Sequence, residues 1–352
     1  MGYDALVERL AGDGDDATAT DGPRIVAFPD GSVDEYYAAY DGEGNRIAER
    51  ETFGERIARS EYDSFPIERR SREPAGQAVN MARQTHALGA ETTLYGHLED
   101  PVFADLPFET VSMGPPARID VFPFADDDLL LAERARRIED WTLADLAAAA
   151  GEDPGDALAA DALCCGNWVS AGGLTDALAT LADGTLPTNV GTVVVDPGPV
   201  STRSNDAIVA FLEALGDLDA RTDVVYSVNR AELEATVAAL DGDLGGGDRE
   251  HVRAVRSAAG IEAVVLHETE AAVAATRDGT VALENLAVEE PRRRTGAGDR
   301  FSAGLAVGRA RGWEWETALA LANCCAAHYV ETATTGDPSA LRSFAATTPR
   351  RE

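Results

Sequence analysis

Residues 294–304 read Arg-Thr-Gly-Ala-Gly-Asp-Arg-Phe-Ser-Ala-Gly, and this stretch indicates the fold more strongly than any other part of the chain. Its Gly-Ala-Gly turn leads into a helical pattern that carries Asp299 in the first turn. Small residues allow backbone N–H groups to converge, and a helix N-terminus adds about half a positive charge. Such a turn can stabilise a developing anion while Asp299 accepts a proton from an attacking hydroxyl. Helix capping is the alternative role for Asp299.

Outward from this turn, apolar runs alternate with helical patterns. Runs such as 191–196 (G-T-V-V-V-D) predict buried strands, and apolar positions three or four residues apart predict helices. The alternation predicts a central, mostly parallel sheet with helices on both faces, an α/β fold. The predicted strands are 24–28, 92–96, 162–165, 191–196, 224–227 and 263–267. The predicted helices are 75–88, 173–181, 205–215, 230–240, 249–259, 299–311 and 315–331.

Two further segments have the alternating pattern of exposed strands. Segments 35–40 and 46–53 flank a turn at 41–44 and predict a hairpin. Residues 117–131, interrupted by a turn at 126–128, predict a second pair of strands. Together they predict a small β-sheet lid formed by about 35–57 and 111–133. The predicted organisation is an acidic N-terminal leader (1–22) that begins with a short helix, one domain (23–347) that includes the lid, and a short tail (348–352).

Composition excludes several kinds of chemistry. The 352 residues carry a net charge of −32, and all 30 basic residues are arginines. Without lysine there can be no lysine Schiff base, pyridoxal-phosphate attachment or Walker-type lysine. Duplex phosphates would be repelled, so we expect no nucleic-acid partner. The dispersed acidic charge could recruit a basic partner, but it is more typical of a protein that works in molar salt.

No run of residues is long and apolar enough to cross a membrane, and the N-terminus lacks the pattern of a signal peptide. We therefore expect a cytoplasmic protein without a membrane partner. The cysteines form two adjacent pairs, 164–165 and 324–325, inside apolar runs. This spacing favours small buried side chains over a zinc site or disulfides. The five histidines show no metal-ligand spacing.

Four segments in chain order resemble the ribokinase, or PfkB-type, family of carbohydrate kinases. Residues 295–299, followed by Phe301 and Gly304, match the end of the family's Asp-Thr-x-Gly-Ala-Gly-Asp signature. The other matches are 31–34 (G-S-V-D), 75–80 (A-G-Q-A-V-N) and 229–232 (N-R-A-E). The resemblance extends from about residue 24 to 344 and implies a ribokinase-like fold, in which a β lid covers the sugar. It also implies Mg²⁺, ATP as phosphoryl donor, and a homodimer formed through the lid.

The resemblance assigns roles to the matched residues. Asp299 is the implied catalytic base, and the amides of Gly296, Ala297 and Gly298 are the implied anion hole. The implied sugar-binding residues are Asp34, Gly76 and Asn80. The implied nucleotide-binding residues are Asn229, Thr295 and Asn323, and Glu232 is implied to bind Mg²⁺ through water. A plain core position is the alternative for Asn323.

The chain also departs from the family's pattern. Arg293-Arg294 replaces the leading Asp-Thr of the signature, Ala75 replaces the first glycine of its motif, and 267–271 (H-E-T-E-A) replaces a glycine-rich segment. The arginine groups 292–294 and 69–72 suggest Arg72 and Arg293 as ligands of a substrate phosphate, or additional contacts to the nucleotide, because arginine matches phosphate oxygens well. Compensation of neighbouring glutamates is the alternative role.

Two polar residues lie where predicted strands end. Asn167 follows a strand at the edge where α/β sites form, so it is a further substrate-binding candidate. The sequence 196–198 (D-P-G), in contrast, is more typical of a turn than of a site.

These features predict an ATP-dependent kinase that phosphorylates a primary hydroxyl. Ribose 1-phosphate, converted to ribose 1,5-bisphosphate, is the specific hypothesis, since similar haloarchaeal kinases include enzymes of nucleoside-ribose salvage. A nucleoside kinase and a kinase of free sugars (ribose, fructose or a ketodeoxygluconate-type sugar) are the alternatives on the same fold. A catalytically inactive regulator that binds a sugar phosphate is the alternative from another class.

Overall fold

The computed structural model describes residues 2–15, 22–59, 63–126, 128–240 and 246–351. The strands are β1 (Arg24–Phe28), β2 (Ser32–Ala39), β3 (Ile67–Ala75), β4 (Glu91–Gly96), β5 (Glu109–Ser112), β6 (Ala117–Pro123), β7 (Asp128–Ala132), β8 (Ala162–Gly166), β9 (Thr192–Asp196), β10 (Asp223–Val228), β11 (Ala263–His267), β12 (Ala271–Thr276) and β13 (Gly279–Glu284). The helices are α1 (Gly2–Asp15), α2 (Arg50–Ala58), α3 (Gln77–Ala87), α4 (Arg136–Glu139), α5 (Leu143–Ala150), α6 (Pro154–Ala157), α7 (Leu174–Thr180), α8 (Asn205–Asp219), α9 (Arg230–Ala239), α10 (Asp248–Ala259), α11 (Ala297–Ala310), α12 (Trp315–Thr332) and α13 (Pro338–Thr347).

Within the described residues, a nine-stranded sheet forms the centre of the molecule. Its order is β13-β12-β11-β10-β9-β8-β1-β4-β5, and its pairs are parallel except at β11-β12-β13. Every residue of β8 and β9 is buried because helices cover both faces of the sheet. Val193 and Val195 of β9 belong to the core cluster on one face, and Val194 belongs to the cluster on the other. The predicted α/β architecture is confirmed.

Every strand and helix predicted for the central body is present, with ends shifted by a few residues. The antiparallel pair β12-β13 was missed because its sequence, rich in alanine, shows little alternation. The short helices α4 to α6 and the terminal helix α13 were also missed.

A separate four-stranded sheet has the order β3-β2-β6-β7. The predicted hairpin between 35–40 and 46–53 is wrong: residues 50–58 form α2, and the antiparallel partner of β2 is β3. Phe53 and Ile57 have the i, i+4 spacing of a helix, whereas β3 is mostly exposed and rich in charge, so no apolar alternation marks it. Strand β5, within the predicted lid span, instead pairs with β4 at the edge of the central sheet.

The N-terminal helix packs against the central body. Tyr3, Leu6 and Leu10 of α1 are buried in the same core cluster as residues of α12 and α13. The predicted leader therefore begins with a helix that contributes to this core, and residues 16–21 lie outside the described residues. At the other end, the Arg351 amide donates to the carbonyl of Asn285, so the predicted tail contacts the segment after β13.

The four cysteines are buried and unpaired, in β8 and α12, which confirms their interpretation as small apolar side chains. Among the described helices, none combines the length and the apolar character needed to cross a bilayer.

Candidate active site

The Gly-Ala-Gly turn lies at the N-terminus of α11, as the sequence predicts. Gly296 is the residue before the helix and has φ +87°, a conformation that favours glycine. A side chain there would also approach within 2.9 Å of Nη1 of Arg300. The Ala297 amide donates to the carbonyl of Arg294 (3.0 Å) and so closes the turn. Gly298 and Asp299 lie in the first helical turn, where N–H groups have no acceptor inside the helix.

The Asp299 carboxylate is held by two side-chain amides from the first turn of α3. Asn80 Nδ2 donates to Oδ2 (2.7 Å), and Gln77 Nε2 donates to Oδ1 (3.3 Å). Asp299 is only 7% exposed. Asn80 was predicted as a site residue, but Gln77 was not, although it lies between the matched positions 76 and 80.

Asp196 belongs to the same network. Its Oδ1 accepts from Gln77 Nε2 (2.6 Å), and its Oδ2 accepts from Ser302 Oγ (3.0 Å). The Ser227 hydroxyl lies 2.9 Å from Ser302 Oγ and extends this network. Burial, with the negative charge of Asp299 as a second cause, raises the pKa of Asp196 to about 7. The sequence favoured a turn over a site at 196–198; the structure places Asp196, at the end of β9, in the hydrogen-bond network of Asp299.

Two more carboxylates, those of Asp34 and Glu232, lie near this network. Asp34 accepts from Ser32 Oγ (3.0 Å), and burial raises the pKa of Asp34 to about 6. Burial and the charge of Asp196 raise the pKa of Glu232 to about 8. Glu232 and Asn229 also form a capping box at the start of α9, so both stabilise that helix as well.

Asp30, which the sequence analysis missed, follows β1, and its side chain caps the N-terminus of α3. It accepts from the amides of Gln77 (3.1 Å) and Ala78 (2.7 Å), and from Asn167 Nδ2 (2.8 Å). Asn167, a predicted substrate residue, has φ +57° and therefore turns sharply at the end of β8. The side-chain amide of Asn167 thus helps to hold the Asp30 carboxylate in place at the N-terminus of α3.

A cavity of about 510 Å³ opens on the Asp299 side of the turn, between the central body and the small sheet. We call it the sugar-side cavity. Apolar residues of β6 and β7, Ile119 and Leu130, form part of its wall. Thr295 Oγ1 donates to Asp128 Oδ2 (2.8 Å), so the small sheet contacts the turn directly. The predicted site residues that line it are Asp34, Gly76, Asn80, Asn167, Glu232, Thr295, Gly296 and Asp299. Thr295, predicted to bind the nucleotide, thus lies on the sugar side.

A second cavity, of about 310 Å³, lies on the other side of the same turn, and we call it the nucleotide-side cavity. Its lining includes Asn229, Asn323, Ala297 and Gly298, all predicted site residues. Asn323 is 1% exposed; its Nδ2 donates to Tyr3 Oη (3.2 Å), and no described residue donates to its Oδ1. The turn at 296–299 therefore separates two cavities, which suits transfer of a group between two bound molecules.

His267 also lines the nucleotide-side cavity and was not predicted to. It packs against Phe301, with ring centroids 5.0 Å apart, and no described residue bonds to its buried Nε2. Burial lowers the pKa of His267 to about 4, so the imidazole is neutral at pH 7. Its ring lies against Gly298, where a Cβ would approach within 3.1 Å.

The two arginines predicted to bind substrate phosphate line neither of these cavities. Arg72 pairs with Asp100 and Glu35, and Arg293 pairs with Glu73 (2.8 Å) and lies over the Tyr36 ring. In this geometry both arginines compensate nearby carboxylates. Arg294, in contrast, lines the nucleotide-side cavity.

Comparison with known proteins agrees with this geometry. The family model for prokaryotic ketohexokinase matches residues 18–347. The chain belongs to the prokaryotic ketohexokinase family. A ketohexokinase from Haloferax volcanii is 30% identical over 285 residues, which are 77% of this chain and 74% of that protein. The chain is therefore a carbohydrate kinase, a phosphotransferase with an alcohol acceptor, and the resemblance to ribokinase-type enzymes is confirmed.

Solved structures share the fold at low sequence identity. Arabidopsis thaliana ribokinase, complexed with ribose and ATP, has a TM-score of 0.63 and 16% identity, with 92% of this chain and 99% of that chain covered. The nucleoside kinase of Methanocaldococcus jannaschii, an archaeal member of the ribokinase family, has a TM-score of 0.64 and 14% identity over 92% and 99% of the two chains. These similarities confirm the ribokinase-like fold predicted from the motifs.

Proposed function

We propose that the protein transfers the γ-phosphoryl group of ATP to a primary hydroxyl of a neutral ketohexose such as fructose. One observation carries the proposal: Asp299 faces the sugar-side cavity while Ala297 and Gly298, in the same turn, face the nucleotide-side cavity. An acceptor and a donor bound in these cavities would meet at this turn. The names of the family model and of the Haloferax volcanii relative support a ketohexose as the acceptor.

In this reaction Asp299 accepts the proton of the attacking hydroxyl. The new bond joins that oxygen to the γ-phosphorus, and the bond to the β-phosphate oxygen breaks, so that ADP leaves. The first-turn amides of α11 hold the transferring group, whose charge is spread over its oxygens. Asn80 and Gln77 orient the base, and Asp34, Gly76 and Asn167 position the sugar.

The carboxylates near the turn fit a magnesium ion held through water. The charge of Asp299 disfavours ionisation of Asp196 and Glu232, and the charge of Asp196 disfavours ionisation of Glu232; a divalent cation would relieve that repulsion. Among the described residues no three such ligands lie close enough to hold a metal directly. Glu232 and Asn229 would therefore order the ion through water, as Mg²⁺ commonly requires. When bound, Mg²⁺ neutralises charge on the ATP phosphates.

The charges of the sugar-side cavity favour a neutral acceptor over ribose 1-phosphate. Its only arginine among the described lining residues is Arg134, which pairs with Glu139 (2.7 Å). The carboxylates that line it are Asp30, Asp34, Glu133, Glu139, Glu232 and Asp299. Carboxylates accept hydrogen bonds from sugar hydroxyls but repel a phosphate dianion. Arg72 and Arg293, on which the ribose 1-phosphate hypothesis rested, already pair with carboxylates.

An ADP-release assay in high potassium chloride tests this proposal. Fructose, ribose, ribose 1-phosphate and a set of nucleosides are compared at equal concentrations, and ³¹P NMR of the product identifies the phosphorylated hydroxyl. We expect the highest kcat/KM for the ketohexose. A higher value for a nucleoside or for ribose 1-phosphate would overturn the acceptor assignment, and tight sugar binding without ADP release would indicate the inactive regulator.

The matching mutational prediction is that Asp299→Asn folds normally and loses activity by on the order of 10²- to 10⁴-fold, because no base then accepts the hydroxyl proton. Circular dichroism checks folding, and the same assay measures turnover. Turnover like that of the wild type in Asp299→Asn would refute the role of the base.

A further inference from the structure

A third cavity, of about 580 Å³, lies apart from the two at the turn. It is bounded by β3, α3, the segment 101–108 and the residues that end and follow α12. Three arginines line it, Arg83, Arg293 and Arg300, and we call it the arginine-lined cavity. It shares no lining residue with the sugar-side or nucleotide-side cavity.

Two of these arginines lack a carboxylate partner among the described residues. Arg83 makes one long hydrogen bond, from Nη1 to the carbonyl of Pro74 (3.5 Å). Arg300 is only 2% exposed; it lies over the Tyr329 ring, and its Nη1 donates to the carbonyl of Gly296 (3.2 Å). No described residue accepts a hydrogen bond from Nε of Arg300. Burial lowers the pKa of Arg300 although the charge of Asp299 opposes this effect, so an anion bound nearby would stabilise the guanidinium.

The charge of this cavity is opposite to that of the whole chain. The chain carries −32, yet three arginines here face two carboxylates, Glu73 and Asp105. Glu73 is engaged by Arg293 at 2.8 Å, and Asp105 is exposed. Arg83 and Arg300 are therefore the groups left to bind an anion. Guanidinium groups match phosphate oxygens in a bidentate way.

The rest of the lining suits an organic group attached to the phosphate. Leu106, Pro107 and Phe108 form an apolar wall, and Thr334 and Thr335 offer hydroxyls. His86 lies beside Phe108, with ring centroids 5.5 Å apart. A cavity of this volume is larger than an inorganic phosphate requires.

We propose that the arginine-lined cavity binds a small phosphomonoester, with Arg83 and Arg300 as its phosphate ligands. The site lies outside the sugar-side and nucleotide-side cavities. A small cavity of about 30 Å³, lined by the same three arginines and by Asp34, Asn80 and Thr295, adjoins the sugar side. The cavity lies close to the catalytic turn, because Arg300 lines the cavity and also donates a hydrogen bond from Nη1 to the carbonyl of Gly296. These ligands differ from Arg72 and Arg293, the arginines that the sequence associates with phosphate, which pair with carboxylates.

Line broadening in ³¹P NMR tests the proposal in the intact protein at constant ionic strength, with ADP present at saturation. Inorganic phosphate and glycerol 3-phosphate, a phosphomonoester that is not a product of the proposed reaction, are titrated separately against the wild type, Arg83→Gln and Arg249→Gln. Arg249 is an exposed residue of α10 that does not line the cavity, so its variant has the same charge change at another place. Arg83 has no part in the proposed chemistry, so we expect the wild-type kcat in Arg83→Gln.

We expect saturable broadening of glycerol 3-phosphate in the wild type and in Arg249→Gln, and binding at least tenfold weaker in Arg83→Gln. Unchanged binding in Arg83→Gln would overturn the proposal, as would the absence of saturable binding in the wild type. Binding of inorganic phosphate alone would overturn the assignment to a phosphomonoester.

Discussion

At the scale of single residues, the site depends on one shared side-chain amide. Nε2 of Gln77 donates to both Asp196 and Asp299, at 2.6 and 3.3 Å, and so holds two buried carboxylates together. Asn80 Nδ2 donates to the other carboxylate oxygen of Asp299, Oδ2. The orientation of the proposed base is therefore determined by α3 as much as by its own helix.

Removal of this amide should reduce turnover more than substrate binding. We expect Gln77→Ala to lower kcat by on the order of 10- to 100-fold with a small change in KM, because the base loses its orientation and two carboxylates lose their common donor. Steady-state kinetics with ATP and the preferred sugar measures the effect. Gln84→Ala is the matched control: Gln84 is buried on the same helix but donates to the carbonyl of Gly336, so its loss should affect stability and leave kcat near the wild-type value. Equal kcat losses in both variants would contradict the positioning role.

The buried carboxylates also predict how stability depends on pH. The pKa values of Asp196 and Glu232, about 7 and about 8 in the folded protein, lie above the ordinary 3.8 and 4.5. Their protonated forms stabilise the fold; this contribution is complete below about pH 4 and is lost as pH rises through about 7 to 8. The ligand-free protein should therefore have a lower Tm at pH 9 than at pH 6.5. Glu232→Gln should show a smaller decrease, measured by thermal unfolding at fixed salt. An equal decrease in Glu232→Gln would contradict the proposed titration.

At the scale of elements, the turn is held in place by close packing of α11 on α12. A Cβ on Gly304 would lie 3.0 Å from Cα of Ala322 and 3.1 Å from Sγ of Cys325. Backbone atoms cannot move aside as a flexible side chain can. Gly304 therefore fixes the distance between the two helices, and with it the position of the α11 N-terminus.

We expect Gly304→Ala to destabilise the protein by about 1–3 kcal/mol, because α11 must move away from α12. Gly54→Ala is the control: Gly54 lies inside α2 with nothing within 4 Å of an added Cβ, so alanine there should be neutral or stabilise by up to ~1 kcal/mol. Denaturant unfolding in high salt measures both. A stability loss in Gly54→Ala equal to that in Gly304→Ala would show that the helix contact is not the cause.

At the scale of the whole molecule, the net charge of −32 sets the conditions for folding. Repulsion between exposed carboxylates extends over ~10 Å at 0.1 M salt but only ~3 Å at 1 M. We expect Tm to rise steeply between these concentrations of potassium chloride. Sucrose at equal osmolality, which does not screen charge, should raise Tm less. A Tm that does not respond to salt would contradict the interpretation of the acidic surface as an adaptation to molar salt.

Local patterns in the sequence determined the fold class and much of the site. Apolar runs such as 192–196 cannot be stable unless both faces of a strand are covered, so they predicted the parallel sheet. The turn at 296–299 was predicted because a small-residue turn before a helix depends on neighbouring residues alone. Asn80 and Asp34 were found through short motifs, and the structure brings both to the cavity that Asp299 lines.

Contacts between distant segments were decided only by the tertiary structure. Nothing in the sequence indicates that Gln77 lies between Asp196 and Asp299, since these residues meet only when α3, β9 and α11 pack together. The partners of Arg72 and Arg293 were hidden for the same reason, because Glu73 and Asp100 approach them across strands and loops. The charged strand β3 could be recognised only through its pairing with β2. A local pattern records the conformation of one segment, whereas ion pairs and shared hydrogen bonds depend on which segments become neighbours in the folded chain.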